Sequence, residues 1–133
     1  MGVKFDPSQK GLETVMKDYQ VLAMKLLWER GDEGTASGIA WVEVNKILLE
    51  RGTSKSRASI IFFLQDMAKE GVITYHEKSG KGGYHRVYSP LLSETEFKEF
   101  LATQLIEKLL EEFPDETNNV IRKLMDKAQP SVG

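Results

Sequence analysis

Within six residues, Ser54, Lys55, Ser56, Arg57 and Ser59 set three hydroxyls beside two cations. Hydroxyls can cap a helix start or donate to an anion, and Lys and Arg supply the charge that phosphate oxygens attract. A second group, Lys78, Lys81, Tyr84, His85 and Arg86, surrounds the glycine-rich run Ser79-Gly80-Lys81-Gly82-Gly83. Both groups suit the holding of a polyanion rather than the making of bonds. The chain has no cysteine, which removes disulfides, thiolate metal sites and a thiol nucleophile. His76 and His85 fall on opposing β-runs with only Glu77 nearby, too few donors for a metal. The Gly80–Gly83 run is not placed at a strand-to-helix junction, so it is no nucleotide-binding loop. No catalytic residue, metal or cofactor is expected.

These residues need elements to position them. Val15, Tyr19, Leu22, Ala23, Leu26 and Leu27 recur at helical spacing, predicting a first helix from Leu12 to Arg30 that stops at Gly31. Residues 1–11 read as a polar, mobile leader. Ser37 to Trp41 suits a short strand, and Val42 to Arg51 a second helix with Val44, Ile47 and Leu48 on its buried side. A third helix follows Gly52, with Thr53 or Ser54 as its cap. Its buried stripe is Ile60, Phe63, Leu64, Met67 and Ala68, and Gly71 closes it. Ile61 and Phe62 fall off that stripe. Val72–Lys78 and Tyr84–Ser89 are rich in β-formers and read as a hairpin. Ser93 with Glu96 forms a capping-box pattern ahead of a helix over 94–113. Pro114 then precedes a last helix over 115–127. Trp28 and Trp41 are read as core.

Length and charge narrow the class. The 133 residues suffice for one compact domain of about 80–90 residues plus an accessory element. Residues 38–90 carry eight cations against five anions, whereas residues 91–133 carry five against nine. Such asymmetry suits a phosphate-binding face in one half of the chain. No apolar run reaches the roughly 20 residues that span a bilayer, and a cytoplasmic protein with no membrane partner is expected.

The order helix–strand–helix–helix–strand–strand is that of a winged helix. Leu27-Trp28-Glu29, Lys69-Glu70-Gly71 and Tyr88-Ser89-Pro90 resemble motifs of the penicillinase-repressor family of winged-helix regulators. More loosely, the chain is similar to the multiple-antibiotic-resistance regulators. The resemblance spans roughly residues 15–112. It implies a dimeric repressor whose third helix enters the major groove, with a C-terminal helical dimerisation arm. Two departures stand out. The family's recognition helix usually has polar residues where Ile61 and Phe62 stand. Members induced by proteolysis are cut at an Asn–Phe bond in the arm, and no Asn-Phe pair occurs between Leu91 and Gly133.

The expected fold is therefore mainly α with a small β-hairpin: a winged helix-turn-helix domain over 12–91 and a helical dimerisation region over 92–128. The expected function is a sequence-specific DNA-binding regulator, a homodimeric repressor on inverted-repeat operators in double-stranded DNA. Ser54, Lys55, Ser56, Arg57, Ser59, Lys78, Lys81, Tyr84, His85 and Arg86 are the expected DNA contacts. Phe97, Leu101, Leu105, Leu109, Phe113, Ile121 and Leu124 are the expected dimer interface. The alternative is a winged-helix protein-interaction module in a transcription or chromosome complex. A regulator with a small-molecule effector is a third option, for which no specific ligand chemistry is present.

Overall fold

The computed structural model describes residues 4–80 and 83–128. In chain order it contains a 3-10 turn at Gly11–Thr14, α1 (Asp18–Arg30), β1 (Thr35–Ala36), α2 (Ser37–Glu50), α3 (Arg57–Lys69), β2 (Ile73–Gly80), β3 (Gly83–Pro90), α4 (Glu94–Glu112) and α5 (Pro114–Ala128). The strands form one antiparallel sheet in the order β1-β3-β2. This is the winged-helix arrangement, in which a short sheet closes a three-helix core. The chain divides into two compact units, Met1–Phe97 and Lys98–Gly133.

Apolar periodicity explains the core of the first unit. Met24 and Leu27 from α1, Val44 and Leu48 from α2, and Ile60, Leu64 and Met67 from α3 are all at most 1% exposed. Val72, Ile73 and Tyr88 seal this core from the sheet side. Removing one such buried aliphatic side chain down to Ala costs about 2–5 kcal/mol. Gly31, Gly52 and Gly71 follow the three helices with φ of 58°, 79° and 77°, so local punctuation ends each of them.

Four local expectations are corrected. The first helix begins at Asp18, not Leu12, because Gly11 (φ 60°) opens a separate 3-10 turn whose Leu12 is buried. Residues 4–11 are not a mobile leader: the Lys4 and Asp6 amides donate to the carbonyls of Val15 and Thr14 at 3.2 and 2.8 Å. The short strand is Thr35–Ala36, and Ser37 to Trp41 form the opening turns of α2. Thr35 pairs with Tyr88 and Ala36 with Val87, and these ladder bonds place the strand two residues early. Finally, Ile47 is 40% exposed, while Ala40 takes the buried position on α2.

In the C-terminal unit, Pro114 occupies the first position of α5, where its missing N–H costs nothing. The buried Thr117 hydroxyl donates toward the carbonyls of Leu109 and Phe113 at 3.0 and 2.7 Å, tying the start of α5 to the end of α4. No helix among the described residues is long and apolar enough to cross a membrane.

Candidate nucleic-acid interface

The cap of α3 is Ser56, not Thr53 or Ser54. Its Oγ accepts from the Ser59 amide at 3.1 Å, and the two hydroxyls lie 3.0 Å apart. Ser54 and Lys55 therefore precede the helix in an exposed, non-helical segment, and Arg57 is the first helical residue. That segment is anchored by α2. The Lys55 amide donates to Asn45 Oδ1 at 2.8 Å, and the Trp41 indole N–H donates to the Lys55 carbonyl at 3.3 Å. Trp41 and Asn45 stand four apart on one helix face. The sequence reading places Trp41 in the core and does not single out Asn45; their i, i+4 spacing is the signal that joins them.

Fixing the Lys55 backbone sends the two cations into different grooves. The Arg57 guanidinium lies 6.0 Å from the Trp41 ring centre. It lines a groove with Ser37, Gly38 and Ile39 from the start of α2, and with Tyr84 and His85 from the hairpin. Lys55 Nζ instead lies 5.1 Å from the Tyr19 ring centre, in a groove at the start of α1.

The hairpin register sorts the remaining candidates. Residues directly opposite on paired strands share a face. Lys78 opposes His85 on one face, with His76 and Val87 beside them. Ser79 opposes Tyr84, Glu77 opposes Arg86, and Tyr75 opposes Tyr88 on the other. Arg86 is thus separated from Lys78 and His85 and faces a groove lined by Gln65, Ala68 and Lys69 of α3. A hydrogen bond from Arg86 to the Tyr88 side chain, chiefly, holds its guanidinium pKa above the ordinary value. Tyr84 is 79% exposed near the tip. Lys81 lies outside the described residues.

On the outer side of α3, Phe62 is 64% exposed and Ile61 is half-buried. Asp66 and Lys69 are exposed on the same helix. Among the described residues no group of His, Asp or Glu side chains is placed to hold a metal ion.

Two of the expected dimer contacts, Phe97 and Leu101, are buried in the single chain. Phe97 is fully buried within its own unit, with its ring centre 5.6 Å from that of Trp28, and Leu101 is only 2% exposed.

The family model described as penicillinase repressor matches residues 18–132. The chain belongs to the penicillinase-repressor family. That family comprises DNA-binding transcriptional repressors with a winged helix-turn-helix fold, and it is not a family of enzymes. No curated protein and no solved structure matches the chain. As a penicillinase-repressor family member, it has DNA as its general partner.

Proposed function

We propose that this chain acts as a homodimer that represses transcription by occupying inverted-repeat operators. The residues before and at the start of α3, Ser54 to Ser59, contact base edges and phosphates of the major groove. The hairpin, through Lys78, Lys81, Tyr84 and His85, holds the neighbouring backbone. The observation that carries this reading is that Arg57 and the hairpin residues Tyr84 and His85 line one groove. Helix start and hairpin tip are therefore available to one duplex at once. Phosphate contacts set register, and base contacts set sequence preference.

Self-association is supported by the C-terminal unit. Ile106, Leu109, Phe113, Val120, Leu124 and Met125 are between 42% and 61% exposed. With Leu105 and Ile121 half-buried beside them, they are more apolar surface than a monomer usually shows. A twofold dimer built on them would place half-sites about 10 base pairs apart, or a multiple of that. A Leu124→Lys, Phe113→Lys variant is expected to sediment as a monomer and to lose operator binding. A variant that sediments and binds like the parent would remove the arm from the proposal.

DNA contact is tested by titrating a selected operator against Lys55→Ala, Arg57→Ala and Lys81→Ala variants over a range of salt. Each phosphate contact removed lowers the slope of log affinity against log salt by about 0.9. Unchanged slopes in all three would defeat the reading.

One observation favours a second reading, a protein-docking winged helix. Phe62 is large, apolar and 64% exposed where a DNA-facing residue should stand. In the DNA reading it packs on a thymine methyl, about 0.8 kcal/mol or roughly fourfold in affinity. Uracil in place of thymine in the operator should then weaken the parent but not Phe62→Ala.

A further inference from the structure

The residues before Asp18 precede the family match, which begins at residue 18, yet they are folded onto the helical core. Leu12 and Met16 are 7% and 2% exposed. The Lys4 amide donates to the Val15 carbonyl at 3.2 Å and the Asp6 amide to the Thr14 carbonyl at 2.8 Å, so the segment doubles back on itself. A merely solubilising leader would gain nothing from this ordering, which costs about 1–2 kcal/mol of backbone entropy per residue fixed.

What the packing achieves is a concentration of charge. Lys4 and Lys17 are brought to a groove that also holds Arg51, just past the end of α2, and Lys55, just ahead of α3. Four cations meet two carboxylates there, those of Glu13 and Asp18. Asp18 is partly committed, since its Oδ1 accepts from the Tyr19 amide at 2.7 Å at the start of α1. Lys55 extends over the Tyr19 ring at 5.1 Å, an aromatic wall for the cation. Four cations against two carboxylates leave the groove with an excess of positive charge that a further anion would offset. The groove is open to solvent, and Gln9 and the Tyr19 side chain complete its polar lining, which suits a backbone phosphate better than an apolar ligand.

This groove and the one that holds Arg57, Tyr84 and His85 share no lining residue. A phosphate in one leaves the other free, and Lys55 and Arg57 bracket the start of α3 between them. We propose that the groove formed by Lys4, Lys17, Arg51 and Lys55 is a second phosphate-backbone contact on the same duplex, a DNA clamp contributed by residues ahead of the family-matched region. The inference rests on the DNA-binding reading above, and extends the footprint to a flank that the hairpin does not serve.

The test is a Lys4→Gln, Lys17→Gln double variant of the full chain, with Lys46→Gln as the surface control. Lys46 lies 3.0 Å from Glu43 and lines neither groove. The double variant should flatten the salt slope by about two units. It should lose affinity equally for operator and random duplex, because phosphates carry no sequence. Hydroxyl-radical footprints should shorten at the outer edge of each half-site. Parent-like slope and footprint, with melting unchanged, would overturn the clamp while leaving the α3 reading intact. If the parent chain itself shows no salt-dependent duplex binding, both fall together.

Discussion

The Arg86 guanidinium lies 4.1 Å from the centre of the Tyr75 ring on the adjoining strand. Tyr75 in turn lies 5.7 Å from the ring of Tyr88, its register partner. The three side chains form one cluster along one face of the hairpin, with the guanidinium over Tyr75 and the two rings tilted at 53°. A residue chosen from the sequence as a DNA contact is thus also a strut of the hairpin, on the face opposite to Lys78 and His85.

This duality separates two variants that composition alone would treat alike. Arg86→Ala should speed amide exchange along Tyr84–Tyr88 and weaken duplex binding. Lys78→Ala should weaken binding with hairpin exchange unchanged, since Lys78 is exposed and faces His85. Equal exchange rates in the two variants would show that the Arg86–Tyr75–Tyr88 cluster holds nothing.

Gly34 carries two requirements at once. Its φ is 84°, and a Cβ built there would stand 2.5 Å from Val87 Cγ1 and close to Ser89. Any L-residue meets both backbone strain and a neighbour that the β1–β3 pairing holds in place. Gly34→Ala should cost about 2–3 kcal/mol, read as a lower urea midpoint with an unchanged denaturant slope.

Thr35 gives the opposite sign. It is fully buried, and its Oγ1 has no hydrogen-bond partner among the described residues. An unpaired buried hydroxyl carries a desolvation penalty of about 1–3 kcal/mol. Thr35→Val keeps the shape and the β-branched strand preference, so it should raise stability by about 1 kcal/mol in thermal or urea unfolding. A loss of stability would mean that the hydroxyl has a partner in solution.

The cap of α4 predicts a pH dependence. Glu96 Oε1 accepts from the Ser93 amide at 3.0 Å, and Ser93 Oγ accepts from the Glu96 amide at 3.1 Å. The bond from the Ser93 amide, chiefly, sets the Glu96 carboxyl below its ordinary pKa. A carboxyl depressed in the folded state stabilises above its unfolded value and loses that contribution as pH falls through the folded one. Glu96→Gln retains an acceptor without titrating. Its urea midpoint should therefore fall less than the parent's between about pH 6 and about pH 3, the range that spans the ordinary glutamate value of about 4.3. Asp6 and Glu112 are also lowered, by a Ser8 side-chain bond and by Lys108 respectively, and both remain in the variant as a common background.

Much of this protein is decided by neighbours in the chain. The glycines after α1, α2 and α3, the Ser93–Glu96 cap, the buried stripe of α3 and the two hairpin strands all depend on contacts within a few residues. Local sterics and hydrogen bonding suffice to specify them, and they are legible without any fold. What the tertiary structure decided is different in kind. Several hydroxyls could have capped α3, and Ser56 does so because Trp41 and Asn45 pin Lys55 outside the helix. Ile47 and Phe97 are both apolar at helical spacing. Only the elements packed around each determine that the first meets solvent and the second meets Trp28. The grooves that part Lys55 from Arg57 likewise arise from packing between distant segments. Periodicity tells which side of an element is apolar; it holds no information about what will come to cover it.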